Sequence, residues 1–133
     1  MFLNRLSNEQ KELFLDLCIH ASKANNNFSA EEKLTVEQYC EEMHIDVRFD
    51  EREGFAEATD RLIASSSDQE LKIILLETAA LLLSDSTYDP DEQRFFDSLT
   101  ARLGLAPEQT EEVLTLLSEL TGVYSKINDF IFG

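Results

Sequence analysis

The residues of this chain best suited to chemistry are acids. Asp85, Asp89 and Glu92 fall within eight residues, between two stretches of helical pattern. Carboxylates on such a turn can converge. Together with turn carbonyls they offer the oxygen ligands that Ca²⁺ or Mg²⁺ requires. The spacing is not that of an EF-hand, which needs about twelve residues and a glycine at the sixth position. The same residues have a plainer use. Asp89 and Glu92 have capping-box spacing, and Asp85 can close the preceding helix or an Asx-turn. Capping alone and capping with a bound cation both remain open. Asn25, Ser29 and Glu32 form a similar but less acidic group, where capping alone is favoured.

Other chemistry has less to stand on. His20 and His44 are the only histidines, and Cys40, one turn from His44, is the nearest soft ligand. The four-ligand spacing of a zinc site is absent, so Zn²⁺ ranks below Ca²⁺ and Mg²⁺. His44 suits a helix C-terminus, where a cation opposes the negative end of the dipole. Cys18 and Cys40 sit among apolar residues and read as buried free thiols. There is no nucleophile elbow, phosphate-cradling loop or HExxH motif. A non-enzymatic protein is expected, and an enzyme built on His20 or His44 is the remote alternative.

The 27 acids against 11 bases give a net charge of −16. A field of that sign repels nucleic-acid phosphates and anionic lipid, and it favours cations and basic segments. No apolar run follows Arg5, so no secretory signal is expected. The longest apolar run, Leu71 to Leu83, includes Lys72 and Glu77 and is shorter than the ~20 residues that span a bilayer. No membrane insertion and a cytoplasmic location are expected.

The elements that must hold these residues are helices. Glycine and proline are scarce, at four and two residues. Capping-box pairs recur at Ser7/Gln10, Ser29/Glu32, Asp50/Glu53, Ser67/Glu70 and Asp89/Glu92. Pro90 and Pro107 suit first helical positions, and Gly104 and Gly122 suit left-handed stops. Helices are therefore expected at about 8–24, 30–43, 51–64, 68–84, 90–103 and 107–121, with a short amphipathic piece near 124–131. The helix around Leu71–Leu83 is apolar almost all round and should be covered on every side. The fold class is all-α: a single-domain bundle of about seven helices spanning residues 1–133. The segment 122–133 either packs on that bundle or, through Phe130, Ile131 and Phe132, fills a groove on a second copy or a partner.

Shifting the chain by 60 residues aligns it with itself. Leu13 meets Ile73, Asn25 meets Asp85, Phe28 meets Tyr88 and Ser29 meets Asp89. Glu32 meets Glu92, Met43 meets Leu103 and Ile45 meets Leu105. Two pseudo-symmetric halves, about 8–64 and 68–121, are the reading. Their third helices correspond only in kind.

The turns resemble a known signature. Residues 24–32, Ala-Asn-Asn-Asn-Phe-Ser-Ala-Glu-Glu, resemble the Ala-Asp-Gly-x-apolar-Ser-x-Glu-Glu motif of TerB-like tellurite-resistance proteins, and residues 84–92 resemble its second copy. The resemblance covers about residues 8–121. It implies an all-helical two-repeat fold, also found at the N-terminus of a DnaJ-like co-chaperone. It further implies a non-enzymatic stress-response role with divalent cations held by turn acids. Carried over, those acids are Asp85 and Glu92, with Asp89 close by, and Asn25 and Glu32 in the first half. Asn25 stands where the motif has an acid, and Asn26 and Ser86 stand where it has glycines. The expected function is a divalent-cation-binding interaction scaffold with protein partners in a stress or resistance system and a possible homodimer. A metal-independent, co-chaperone-like adaptor is the alternative.

Overall fold

The computed structural model describes residues 1–24, 28–84 and 89–133. Among these the chain forms six α-helices and no strand: α1 (Asn8–Lys23), α2 (Ala30–Met43), α3 (Phe55–Ser65), α4 (Asp68–Leu82), α5 (Pro90–Leu103) and α6 (Pro107–Phe132). A 3-10 turn, Leu3–Arg5, precedes them. No helix is long and apolar enough to cross a membrane, among the described residues.

Local chemistry starts and stops most of these helices as their residues require. Ser7, Ser29, Ser67 and Asp89 each accept the backbone N–H three residues on, and Gln10, Glu32, Glu70 and Glu92 accept in return. The ends of α2 and α5 match as well. His44 and Gly104 adopt left-handed backbone, with φ of 57° and 71°. The next residues, Ile45 and Leu105, donate to the carbonyls of Cys40 and Thr100 at 3.1 and 3.2 Å. Both are Schellman stops, and Ile45 and Leu105 pack on the core beside them. These positions lie 60 apart in the chain.

Three expectations are corrected. The helix expected from residue 51 begins at Phe55, capped by Gly54 with no side-chain bond. Asp50 and Glu53 serve Lys23 and Arg61 instead of a cap. The helix expected to stop at Gly122 runs unbroken to Phe132, so the separate seventh piece does not exist. Gly122 lies inside it without positive φ, costing about 1 kcal/mol relative to alanine. The third correction concerns burial. It is α1 whose residues from Leu13 to Ile19 are all buried, whereas Ile73, Leu76 and Ala80 leave one side of α4 partly open.

The middle of α1 tolerates burial because its one buried acid is answered. Asp16, 1% exposed, accepts from Arg48 Nη1 at 2.6 Å and from the Arg52 backbone N–H at 2.9 Å. Arg48 also donates to the carbonyls of Glu12 and Asp50. These bonds lay residues 45–54 along α1 and keep them out of a helix. The chain then enters α3 beside the C-terminal end of α1, where His20 Nε2 donates to the Glu53 carbonyl at 2.9 Å. At the other end Gln10 Nε2 donates to the Ser65 carbonyl. Helix α3 therefore runs antiparallel to α1. It also meets α5, through Phe55 on Phe95 and Arg102 on Thr59 and Asp60.

The second half closes differently. Only residues 104–106 link α5 to α6, a reach of ~10 Å. Helix α4, with 15 residues, is ~22 Å long, so this link cannot travel to its far end. Helix α6 instead starts beside the start of α4, where Gly104, Leu105 and Gln109 meet Asp68 and Leu71. It has 26 residues, ~39 Å, and overshoots the bundle. The seam between α2 and α4 is occupied by the N-terminal 3-10 turn. Leu3 is fully buried there, and the N–H groups of Leu3 and Phe2 donate to Glu42 and Glu77.

The Asp16–Arg48 pair yields the first prediction. Arg48→Met strands a buried carboxylate and should cost about 3–5 kcal/mol in urea unfolding. Adding Asp16→Asn to that variant should recover part of the loss.

Candidate functional site

The turn preceding α5 was the first candidate from sequence. Asp89 Oδ1 accepts the Glu92 N–H at 2.9 Å, and Glu92 Oε1 accepts the Asp89 N–H at 3.4 Å. The two residues are thus brought together, and Glu92 is 1% exposed. Asp85 lies outside the described residues. The turn preceding α2 repeats the arrangement. The Ser29 hydroxyl and Glu32 exchange backbone N–H bonds at 3.1 and 3.2 Å, and Glu32 is 2% exposed. Asn25 also lies outside the described residues.

Each turn therefore buries one glutamate whose carboxylate folds back to its helix start. Asp91, two residues after Asp89, forms an ion pair with Arg94 on the surface. The donor set is all oxygen, which fits Ca²⁺ or Mg²⁺ better than Zn²⁺. Hard cations take six or more oxygens, and Asp89 and Glu92 supply only part of such a shell. Among the described residues there is no group of three or more His, Cys, Asp or Glu side chains placed to hold a metal ion.

His20 and His44 stand at the ends of different helices. His20 uses Nε2 on the Glu53 carbonyl and lies in an open groove of about 370 Å³ with Phe55, Asp91 and Phe95. His44 is the exposed left-handed stop of α2. The cysteines are buried and free of any disulfide. Burial pushes the Cys18 thiol well above its ordinary range, with neighbouring Cys40 adding to the shift, and burial raises the Cys40 thiol too. A thiol held protonated is a poor nucleophile at neutral pH. Ser7, Ser29 and Ser67 serve as caps, and Ser65 and Ser84 donate to carbonyls one turn back.

Two features lie outside the caps and acids. The first is the outer half of α6, whose end was singled out from sequence but whose continuity with the helix before it was not. Val113, Leu117, Leu120, Tyr124, Ile127 and Ile131 recur at intervals of four and three, the seam of a packed helix. Leu117 is buried against the bundle, yet Tyr124 is 64% exposed, Ile127 47% and Ile131 60%, with Phe130 beside them at 90%. The expectation that this segment packs on the bundle is not met. The heptad interval running through Gly122 was the available signal. The second feature is a groove of about 640 Å³ on α4, floored by Ile73 and Leu76 and walled by Phe2 and Arg5.

No family model matches the chain, and comparisons with curated proteins and with solved structures likewise give no match.

The capping role of Asp89 predicts a specific pattern. Asp89→Ala should lower the unfolding free energy by about 1 kcal/mol with chelator present. Asp89→Ser keeps the capping oxygen and should restore most of it. Urea denaturation of the three proteins reads both effects.

Proposed function

We propose that this chain is a non-enzymatic protein-interaction module of the TerB-like kind, working within a stress-response or resistance system. Its contact element is the outer half of α6. One observation carries this reading: the apolar stripe that seats α6 on the bundle continues in the same register into solvent, where Tyr124, Ile127, Phe130 and Ile131 lie exposed. Monomeric domains rarely expose contiguous apolar surface of this kind without using it for binding. The segment from Leu120 to Gly133 carries one lysine and one aspartate in a chain of net charge −16. It is therefore the place where a partner meets the least repulsion. The engaged serines, shielded thiols and separated histidines are consistent with a module that turns over no substrate.

A photoreactive residue at Ile127, expressed in the native host and irradiated, should yield protein adducts. The same residue at Glu111, on exposed and acidic surface of the same helix, should yield none. Equal labelling at both positions, or none at Ile127, would refute the module reading.

A second reading adds a divalent cation that stiffens the turn between α4 and α5. Asp89 and Glu92 on one cap favour it, with Asp85 as a further ligand and with Asn25 and Glu32 as a weaker counterpart. Calorimetric titration with Ca²⁺ and with Mg²⁺ should then give heat from the unmodified protein and none from Asp85→Ala. No heat, or equal heats, removes the cation.

A further inference from the structure

The groove on α4 and the seat of α3 on α1 use matching positions. Helix α3 and residues 48–53 lie over Glu9, Glu12, Leu13 and Asp16 of α1. Sixty residues on, Gln69, Lys72, Ile73 and Leu76 of α4 line the open groove. The same shift carries Gln10, which bonds the end of α3, onto Glu70, which also lines the groove. The second half therefore carries a helix seat. On α1 that seat is filled by the chain's own α3. On α4 it is edged, among the described residues, by Phe2, Arg5 and Ser67, because the short 104–106 link sends α6 along a different path.

We infer that the seat on α4 receives the outer half of α6 from a second copy of this chain, in a reciprocal dimer. This rests on the reading of α6 as the contact element and names its partner. The occupant matches the seat in kind. Helix α3 buries Ala58, Thr59 and Leu62, at helical spacing. Leu120, Tyr124, Ile127 and Ile131 present a longer and more apolar row at the same kind of spacing. A floor that has Leu13 and Asp16 on α1 has Ile73 and Leu76 on α4, so it accepts an occupant with no arginine to offer. The chain's own α6 cannot fold back to fill the seat, since it is a single unbroken helix that diverges from the bundle.

Charge selects the same contact. Two bodies of charge −16 repel over most of their surfaces. The outer half of α6 carries Lys126 and Asp129, and the groove carries Arg5, Lys72 and Glu70, so neither surface adds net negative charge to this contact. The exchange is isologous, helix to groove and groove to helix, and so closes at two copies. Since the remaining surfaces repel, added salt should tighten the dimer.

Sedimentation equilibrium on the full chain is the test. The unmodified protein should sediment at about twice its 15.2 kDa mass, with association strengthening as sodium chloride is raised. Ile127→Asp should sediment at the single-chain mass. So should Leu76→Asp, and so should Phe2→Asp, whose side chain is 44% exposed and can change without disturbing the core if Leu76→Asp does not fold. Mixing Ile127→Asp with a groove variant leaves one intact helix and one intact groove, and should restore a dimer bound at least about tenfold more weakly. A dimer lost in Ile127→Asp but kept in both groove variants would overturn the inference in favour of α6 pairing with itself. A dimer unaffected by any variant would overturn it too. A single-chain mass at every concentration, with Ile127 adducts to a different protein, would overturn it while leaving the module reading intact.

Discussion

A buried carboxylate organises this molecule. Asp16 lies in the middle of α1 among side chains that exclude water, where an unanswered charge would cost several kcal/mol. Arg48 and the Arg52 N–H answer it, and in doing so they hold residues 45–54 extended along α1. The chain is carried to the far end of α1 before α3 can begin. The direction of α3, its antiparallel seat and the burial of α1 from Leu13 to Ile19 all follow from that tether. At the matching position α4 has Leu76, which asks for no partner.

The pairs α1–α2 and α4–α5 thus share helix starts and stops at matching positions and differ in what closes them. The helix starts at Ser29 and Asp89 and the left-handed stops at His44 and Gly104 repeat because each depends only on residues within a few positions. The third helices part company because of link length. The eleven residues between Met43 and Phe55 suffice to travel the length of α1, since residues 44–54 can extend; three residues after Leu103 do not suffice for α4. An overhanging α6 and an uncovered side of α4 are two consequences of one short connection.

That asymmetry is where interaction chemistry can reside. Among the described turn acids, Asp89, Glu92 and Glu32 serve helix starts, with Glu32 and Glu92 buried there. The surface left without internal use is apolar and lies at the other end of the problem, on α6 and on α4. Strong negative charge elsewhere narrows the surfaces on which any acidic partner can settle.

Helix content, four reciprocal capping boxes, the left-handed stop at Gly104 and the buried thiols were legible from sequence because each is decided by neighbours in the chain or by side-chain hydrophobicity alone; the matching stop at His44 was not, because a non-glycine residue carries no such mark. The wrong boundaries fell where distance in sequence mattered. Asp50 has a capping residue's chemistry, but Arg48 was already bound to an acid 32 positions earlier. Gly122 reads as a stop, yet a stop needs positive φ as well as glycine, and here the helix on either side is continuous. The depth of α1 was hidden because Asp16 and Gln10 look like surface residues until their partners are in place. Tertiary structure alone decided which helix became the centre and which face was left open, because burial belongs to pairs of elements, and the pairing was set by how far each link could reach.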